Sequence, residues 1–287
     1  MNFWLFTHLK ESPGNELIMQ EADRRGHEVR LVRPRLQNLI LGSDFAEKPD
    51  FVFTRTGSSA PPAALAVLSV LEQQGLRCIN SSSSLRNSRD KTVCYARLAA
   101  AGVPIPRTVV VGGEDWSWLD NLAGPPWIVK LSVSTKGQGV CLVESERSLR
   151  SVIDALKGTE ESSVLVQEFV EEARGSDVRV LVLGGVARVA ARRSAGSKTE
   201  FRSNVYLGGR AETIELTNEI AEIAVQATRA VGLEVAGVDL LETGGGYVVV
   251  EVNGSPGLTA SSRLPGALMD YLEGIADCDA NLSNGQA

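Results

Sequence analysis

A predicted β-hairpin near the C-terminus constrains the fold of this 287-residue chain more than any other feature. Two runs rich in Val and Leu flank the glycine-rich stretch at 243–246, which is typical of antiparallel strands joined by a turn. With Gly245 at the turn centre, Asp239 is expected opposite Glu251, with Asn253 on the same face, because side chains alternate along a strand. The core-facing side is predicted to hold Val238, Leu240, Val248, Val250 and Val252.

The facing carboxylates of this hairpin predict a cation between them. Asp239 and Glu251 would repel each other across the strand pair unless a positive group lay close to both. Carboxylate and amide oxygens suit Mg²⁺, which binds oxygen ligands. The sequence therefore predicts a magnesium site at Asp239, Glu251 and Asn253, with phosphate groups attached to the metal.

Composition excludes several classes of function. The formal net charge of −6 argues against a nucleic-acid partner, which would require a basic surface. No apolar run is long enough to span a bilayer, so no membrane association is expected. The four cysteines lack the spacing of metal ligands, and we expect them to be reduced thiols of a cytoplasmic protein.

The first part of the chain alternates strand-like and helix-like patterns, which predicts a parallel sheet flanked by helices. Sites in such folds form at the carboxyl ends of the strands. Three residues expected near those ends, His8, Arg55 and Ser58, are candidates for contact with a substrate. For His8, an exposed or structural role is the alternative.

The remaining pattern indicates two mixed lobes and a tail. The predicted divisions are an N-terminal α/β domain at 1–86, a central lobe with a glycine-rich flap at 87–163, a C-terminal lobe with the metal site at 164–276, and a disordered tail at 277–287. A helix starting in "NSRDK" is expected to open the central lobe, with Ser88 near its N-cap.

Two features of the central lobe favour a phosphate ligand. The loop "SVSTKGQGV" joins two apolar strands, and Gly137 and Gly139 allow its amide groups to converge on phosphate oxygens, with Lys136 nearby. An ordinary glycine-containing hairpin is the alternative. Lys130 interrupts the apolar strand "WIVKL" just before this loop, so its amine must either reach solvent or meet an anion.

Other positions are compatible with a nucleotide but are weaker signals. Lys91 is expected in the first turn of its helix, where the dipole disfavours cations; it is either solvated or helps the helix N-terminus hold a phosphate. The end of "VLVQEFV", residues 168–170, could present backbone groups to a purine while Asp177 reaches a ribose. The same segment also fits an ordinary strand.

Taken together, these blocks make the chain resemble the ATP-grasp superfamily and, within it, the RimK-type glutamate ligases. The resemblance extends from about Ile79 to Leu258 and rests on "RDK", "IVKL…STKGQGV", "VLVQEFV…SDVRVLVLG", "FRSNVYLGG", "AGVDLLE" and "VVEVNGSPGL", in that order. It implies the ATP-grasp fold, an α/β class with α+β lobes and an N-terminal parallel-sheet pre-grasp domain. ATP is then expected between the central and C-terminal lobes.

The resemblance also implies roles for individual residues. The cofactors implied are ATP and Mg²⁺, with two ions expected and Mn²⁺ as the alternative metal, bound by Asp239, Glu251 and Asn253. The residues implied to bind the nucleotide are Lys91, Lys130, Lys136, Gly137, Gly139, Glu168, Phe169, Val170, Asp177, Arg202, Ser203 and Asn204. Arg193 and Arg202 are implied to stabilise the transferred phosphoryl group.

The activity implied is an ATP-dependent carboxylate–amine ligase that works through an acyl phosphate. The family suggests glutamate or a related amino acid, an acceptor that is a protein, a peptide or an amino acid, and a homo-oligomer. Two alternatives stay open: a ligase of the same fold that makes a dipeptide or a glutathione-like compound, and a nucleotide-binding regulator without turnover. The N-terminal segment and the residues after "SPGL" depart from the family pattern, so the acceptor is left open.

Overall fold

The computed structural model describes residues 1–34, 47–57, 59–113, 115–134, 139–157, 163–197, 200–201, 203, 208–258 and 263–284. Within these ranges the strands form three sheets, two of four strands and one of five. Searched over the same ranges, the helices include none with the length and apolar character needed to cross a membrane. This finding does not test the predicted cytoplasmic location, which stays a prediction.

The N-terminal sheet is fully parallel, with the order β2-β1-β3-β4, as the alternating pattern predicts. Apolar side chains fill β1 and β3 because the sheet is buried between layers. Its elements are β1 (Asn2–Phe6), α1 (Pro13–Arg24), β2 (Glu28–Val32), β3 (Phe51–Thr54), α2 (Pro62–Gln73) and β4 (Cys78–Ile79).

Two consecutive helices lead from this sheet into an antiparallel central sheet with the order β5-β8-β6-β7. A short 3₁₀ helix at Ser117–Asn121 lies between its first two strands. The elements are α3 (Ser82–Arg89), α4 (Lys91–Ala100), β5 (Thr108–Val111), β6 (Trp127–Leu131), β7 (Val140–Val143), α5 (Glu146–Lys157) and β8 (Val164–Glu168).

The third sheet is antiparallel, has the order β11-β10-β9-β12-β13, and carries the predicted hairpin at its edge. The elements are a 3₁₀ turn (Glu171–Ala173), β9 (Ser176–Leu183), β10 (Val186–Ser194), β11 (Arg210–Ile214), α6 (Asn218–Val231), β12 (Val235–Thr243), β13 (Gly246–Asn253) and α7 (Leu264–Asn284).

The start of the central lobe differs from the prediction. The sequence predicts one helix with Ser88 near its N-cap, but α3 ends at Arg89 and α4 begins at Lys91. Asp90 caps α4, because its carboxylate accepts hydrogen bonds from the amides of Thr92 and Val93. The earlier helix forms because Ser81 provides an N-cap of its own.

Two of the predicted domain limits fall within helices. The limit after residue 86 falls inside α3, and the division into lobes stays a prediction. The limit after residue 276 falls inside α7, whose backbone continues to Asn284, and the disordered tail at 277–287 likewise stays a prediction. No proline or glycine separates Ala276 from Gly285, so nothing in the local sequence ends the helix earlier.

Polar side chains at the ends of the N-terminal strands attach this sheet to the third sheet. The buried amide of Asn80 donates to the carbonyls of Val235 and Gly254, and its oxygen accepts from two amides, at 234 and 235. The Arg55 guanidinium donates to the Pro256 carbonyl at 2.7 Å and to Asn15. These contacts hold the end of β13 in a fixed place relative to the first sheet.

The substrate roles predicted for residues of the first sheet stay predictions. Arg55 is buried and held by the contacts just described. The Nε2 atom of His8 lies 3.3 Å from the Ser59 hydroxyl. Ser58 lies outside the described residues.

Candidate active site

A cleft lies between the central sheet and the third sheet. Its apolar walls are Ile128 and Val140 on one side and Leu241 and Val250 on the other, which is a suitable slot for a flat aromatic ring. The predicted site residues that line it are Lys91, Lys130, Glu168, Phe169, Val170, Asp177, Arg193, Ser203, Asp239 and Glu251.

The other predicted residues fall in different places. Asn253 lines a smaller cleft next to the first one. Gly139 has φ of +66°, and a side chain there would press against Leu131, so glycine is required at this end of the loop. Four of the residues predicted to bind nucleotide lie outside the described residues, namely Lys136, Gly137, Arg202 and Asn204.

Strand pairing places a row of charged residues across the third sheet. Asp239 pairs with Glu251 on one side, as predicted, and with Arg179 on the other. Arg193 pairs with Asp177 in the neighbouring row. Because paired residues on adjacent strands point to the same face, the whole group projects towards the cleft.

The turn prediction was wrong in detail, although Asp239 and Glu251 do face each other. Thr243 pairs with Gly246, so the turn consists of residues 244–245 rather than being centred on Gly245. A β-bulge in β13 restores the predicted pairing, because Leu240 faces Val249 while Asp239 faces Glu251, and Val250 is the extra residue.

This bulge also changes which valines are buried. Val249 and Val252 are the core residues of β13, whereas the predicted core residue Val250 lines the cleft. The alternation breaks at the bulge, so the predicted face was wrong for Val248 and Val250. The bulge frees the carbonyl of Val250, which accepts a hydrogen bond from the Tyr95 hydroxyl at 2.7 Å.

Arginines provide the positive charge next to Asp239. Arg179 donates to both carboxylate oxygens, at 2.6 and 2.5 Å, and Arg193 Nη2 lies 3.0 Å from Oδ2. Burial alone would raise the pKa of Asp239, but the two guanidinium groups outweigh it and hold that pKa below the usual value. Asp239 is therefore ionised, as a metal ligand must be.

The oxygen donors fit a divalent cation that is shared with a phosphate. Asp239 and Glu251 face each other at the end of the hairpin away from the turn, where Asn253 also lies. The Nδ2 atom of Asn253 is 3.4 Å from Asp239 Oδ2. Within the described part of the chain, no group of three or more His, Cys, Asp or Glu side chains could hold a metal by itself. Two carboxylates and an amide leave coordination positions for phosphate oxygens and water, as Mg²⁺ prefers.

Lys130 points into the cleft and does not reach solvent. Its Nζ donates to Gln167 Oε1 at 2.6 Å and to the Tyr95 hydroxyl at 3.1 Å. Burial lowers the pKa of Lys130 to about 8. Of the two alternatives that the sequence leaves open, the structure therefore excludes a solvated amine and leaves an amine that can meet an anion.

Lys91 approaches the same cleft from the start of α4. Its Nζ donates to the carbonyl and hydroxyl oxygens of Ser134, at 3.1 and 3.0 Å, and burial lowers its pKa. The backbone amide of Lys91 donates to the Ser132 carbonyl, and the next two amides donate to Asp90. The first amides of this helix therefore already have partners within the protein, and the phosphate-binding role predicted for Lys91 rests on its side chain and stays a prediction.

The residues predicted to bind adenine and ribose have partners within the protein. The Glu168 amide donates to the Arg107 carbonyl, and the Val170 carbonyl accepts from Ala173. Asp177 is bound through both oxygens by Arg193 and also accepts from the Ser203 hydroxyl. Burial and the nearby carboxylate of Asp239 raise the pKa of Asp177. Its ribose role stays a prediction.

Three residues of this site were missed by sequence reasoning: Arg179, Gln167 and Tyr95. Arg179 in "DVRVLV" and Gln167 in "VLVQE" interrupt apolar strands in the same way as Lys130 does, so the signal was present. Gln167 lies diagonally across from Lys130 in the antiparallel pair of β6 and β8. Tyr95 carries no comparable signal, because an aromatic residue in a helix usually indicates core packing.

Known proteins are similar to this chain in sequence. The family model described as a RimK-like ATP-grasp domain matches residues 88–271. A probable alpha-L-glutamate ligase from Maridesulfovibrio salexigens is 34% identical over 289 residues, covering 95% of this chain and 95% of the relative.

Solved structures show the same fold. A RimK domain protein of the ATP-grasp type from Sphaerobacter thermophilus has a TM-score of 0.73 at 23% identity, covering 96% of this chain and 98% of its own. The ATP-grasp ligase PsnB, solved with a phosphomimetic variant of its minimal precursor, Mg and ADP, has a TM-score of 0.75 at 21% identity, covering 96% and 98%.

Proposed function

We propose that this chain, which belongs to the RimK-like ATP-grasp family and is a ligase that forms carbon–nitrogen bonds, uses ATP to join an amino acid to an amine acceptor through an acyl phosphate. The observation that carries this proposal is the cleft itself. It brings the buried Lys130 and the half-buried Lys91 into one cleft with the carboxylate pair Asp239 and Glu251. Such a site can hold a triphosphate at one end and its metal at the other.

The proposed reaction has two steps. An oxygen of the substrate carboxylate attacks the γ-phosphorus of ATP, the bond to the β-phosphate oxygen breaks, and ADP leaves. The nitrogen of the amine then attacks the carbonyl carbon of the acyl phosphate, inorganic phosphate leaves with the former carboxylate oxygen, and the amine loses a proton. Neither step requires a protein nucleophile, which agrees with a cleft of lysines, arginines and carboxylates.

The side chains of this chain would position and neutralise the phosphates. Lys130 and Lys91 would bind phosphate oxygens, and the apolar slot would hold the adenine between Ile128 and Leu241. Asp239, Glu251 and Asn253 would bind Mg²⁺, with two ions as the family resemblance implies, and bound Mg²⁺ would neutralise charge that develops on the phosphates.

The two arginines could then act on the transferred group. Arg179 and Arg193 both contact Asp239, so either guanidinium would be available to the phosphate when Asp239 binds the metal. An arginine placed in this way stabilises charge that grows during phosphoryl transfer.

Glutamate is the amino acid we propose first, because the Maridesulfovibrio relative is named a probable alpha-L-glutamate ligase. The test is mass spectrometry of the purified protein incubated with ATP, Mg²⁺, glutamate and a panel of peptides and amino acids. We expect a product heavier by one glutamyl residue, with one ADP released per bond. Binding of ATP without a product from any member of the panel would instead support a nucleotide-binding regulator.

A further inference from the structure

A second, smaller cleft adjoins the first one at the end of β13. Val250 and Glu251 line the first cleft, and Val252, Asn253 and Gly254 line the second. Alternate residues of a strand are roughly 7 Å apart, so Glu251 and Asn253 span a distance that one small substrate can bridge. A molecule reacting beside the metal ligands could therefore place a distal group in the second cleft.

The second cleft holds a cation that has no acidic partner among the described residues. Arg89, at the end of α3, lines it, and its Nη1 donates to the Ala60 carbonyl at 2.5 Å. Across the part of the chain that the structure describes, no carboxylate forms an ion pair with this guanidinium. Burial lowers the pKa of Arg89, and no neighbouring carboxylate counteracts that effect. A partly buried guanidinium of this kind is a strong binding group for a planar anion.

A buried hydroxyl in the same cleft also has no hydrogen-bond partner within the described part of the chain. Thr56 is 1% exposed, and its Oγ1 makes no hydrogen bond to any of the described residues. Thr56 lines the cleft together with Arg89. Leaving a buried hydroxyl without a partner costs stability, so such a group is an indication that a ligand supplies the missing acceptor.

We propose that Arg89 and Thr56 bind a carboxylate of the amino-acid substrate that keeps its negative charge through the reaction. This inference rests on the proposed function, because it assigns the non-reacting end of that substrate. The guanidinium would donate two hydrogen bonds to the carboxylate, and the hydroxyl would donate a third. Leu65 and Leu85 form apolar walls, which exclude water and strengthen these contacts.

The test is the affinity for L-glutamate, measured by calorimetry on the full chain with Mg²⁺ and a nonhydrolysable ATP analogue. Replacing Arg89 with glutamine (R89Q) should weaken glutamate binding by at least about tenfold and leave the affinity for the ATP analogue unchanged. The matched control is Arg97→Gln, an exposed arginine on α4, which should change neither affinity.

Thr56→Val keeps the proposal testable if R89Q does not fold. Because the hydroxyl of Thr56 is buried without a partner, the valine variant should be at least as stable as the parent protein. It should bind glutamate about threefold to tenfold more weakly. A merely structural threonine would give the same glutamate affinity in both proteins, and this result would overturn the inference.

Two analogues identify which carboxylate is bound. Glutamine lacks the side-chain carboxylate, and isoglutamine lacks the α-carboxylate. The analogue that lacks the bound group should bind weakly and be insensitive to R89Q. An equal effect of R89Q on all three ligands, no effect on any, or no glutamate binding by the parent protein would overturn the inference. Amide formation in the mass-spectrometry experiment is scored separately, so the ligase proposal can survive that failure.

Discussion

Glu251→Gln is expected to lower amide formation by at least about a hundredfold. The substitution keeps the size of the side chain and removes one of the two carboxylates that face each other across β12 and β13. Without it, Asp239 and Asn253 remain as the oxygen ligands, and Asp239 already binds two arginines. The measurement is ADP release and product formation at saturating ATP over a range of Mg²⁺ concentrations.

The matched control for this variant is Glu242→Gln. Glu242 lies on the same hairpin, pairs with Arg192 and is partly exposed, so its loss should leave the rate within about twofold. If Glu251→Gln turns over as fast as the parent protein at every Mg²⁺ concentration, Glu251 does not hold the metal.

Lys130→Met is expected to weaken nucleotide binding by about tenfold to a hundredfold without unfolding the protein. The amine is buried beside Gln167 and Tyr95, and methionine has a similar length and no charge to desolvate. Removal of a buried charge limits the loss of stability, while the phosphate loses a charged donor. Calorimetry with a nonhydrolysable ATP analogue and a thermal melt measure the two effects separately.

The pKa of Lys130 adds a dependence on pH to this prediction. Because burial lowers that pKa to about 8, the amine is charged below this pH and loses its proton as the pH rises through it. Phosphate binds the charged form, so the nucleotide affinity of the parent protein should be constant below about pH 7 and roughly tenfold lower near pH 9. The decrease should be smaller in Lys130→Met, where only Lys91 can contribute.

The control for Lys130 is Lys10→Met, which replaces an exposed lysine. Its affinity for the nucleotide should equal that of the parent protein at each pH. A Lys130→Met variant that binds the ATP analogue as tightly as the parent protein would show that this amine does not contact phosphate.

The sequence predicted the main elements because their signals are local. The parallel N-terminal sheet follows from alternation of strand and helix patterns. The antiparallel hairpin was also predicted, but Asp239 faces Glu251 only because the bulge at Val250 offsets the misplaced turn centre. Lys130 was identified because a charged residue within an apolar strand needs a partner, whichever fold surrounds it.

The details that were missed depend on contacts between distant parts of the chain. At the bulge, the Val250 carbonyl accepts a hydrogen bond from the hydroxyl of Tyr95 on helix α4. No sequence pattern within the hairpin predicts this bulge. The pairing of Asp239 with Arg179 requires knowledge of which strand lies next to β12. The same limit applies to Thr56 and Asn253, which line one cleft although they lie far apart in the sequence.

The most direct test of the acyl-phosphate mechanism is whether a carboxylate oxygen of the substrate is transferred to inorganic phosphate. The protein is incubated with ATP, Mg²⁺, the amine substrate and a carboxylate substrate labelled with the heavy oxygen isotope, and the released phosphate is analysed by mass spectrometry. An acyl-phosphate route predicts one labelled oxygen in inorganic phosphate for each amide formed, with ADP as the other product. Unlabelled phosphate, or release of AMP and pyrophosphate, would contradict an acyl-phosphate mechanism.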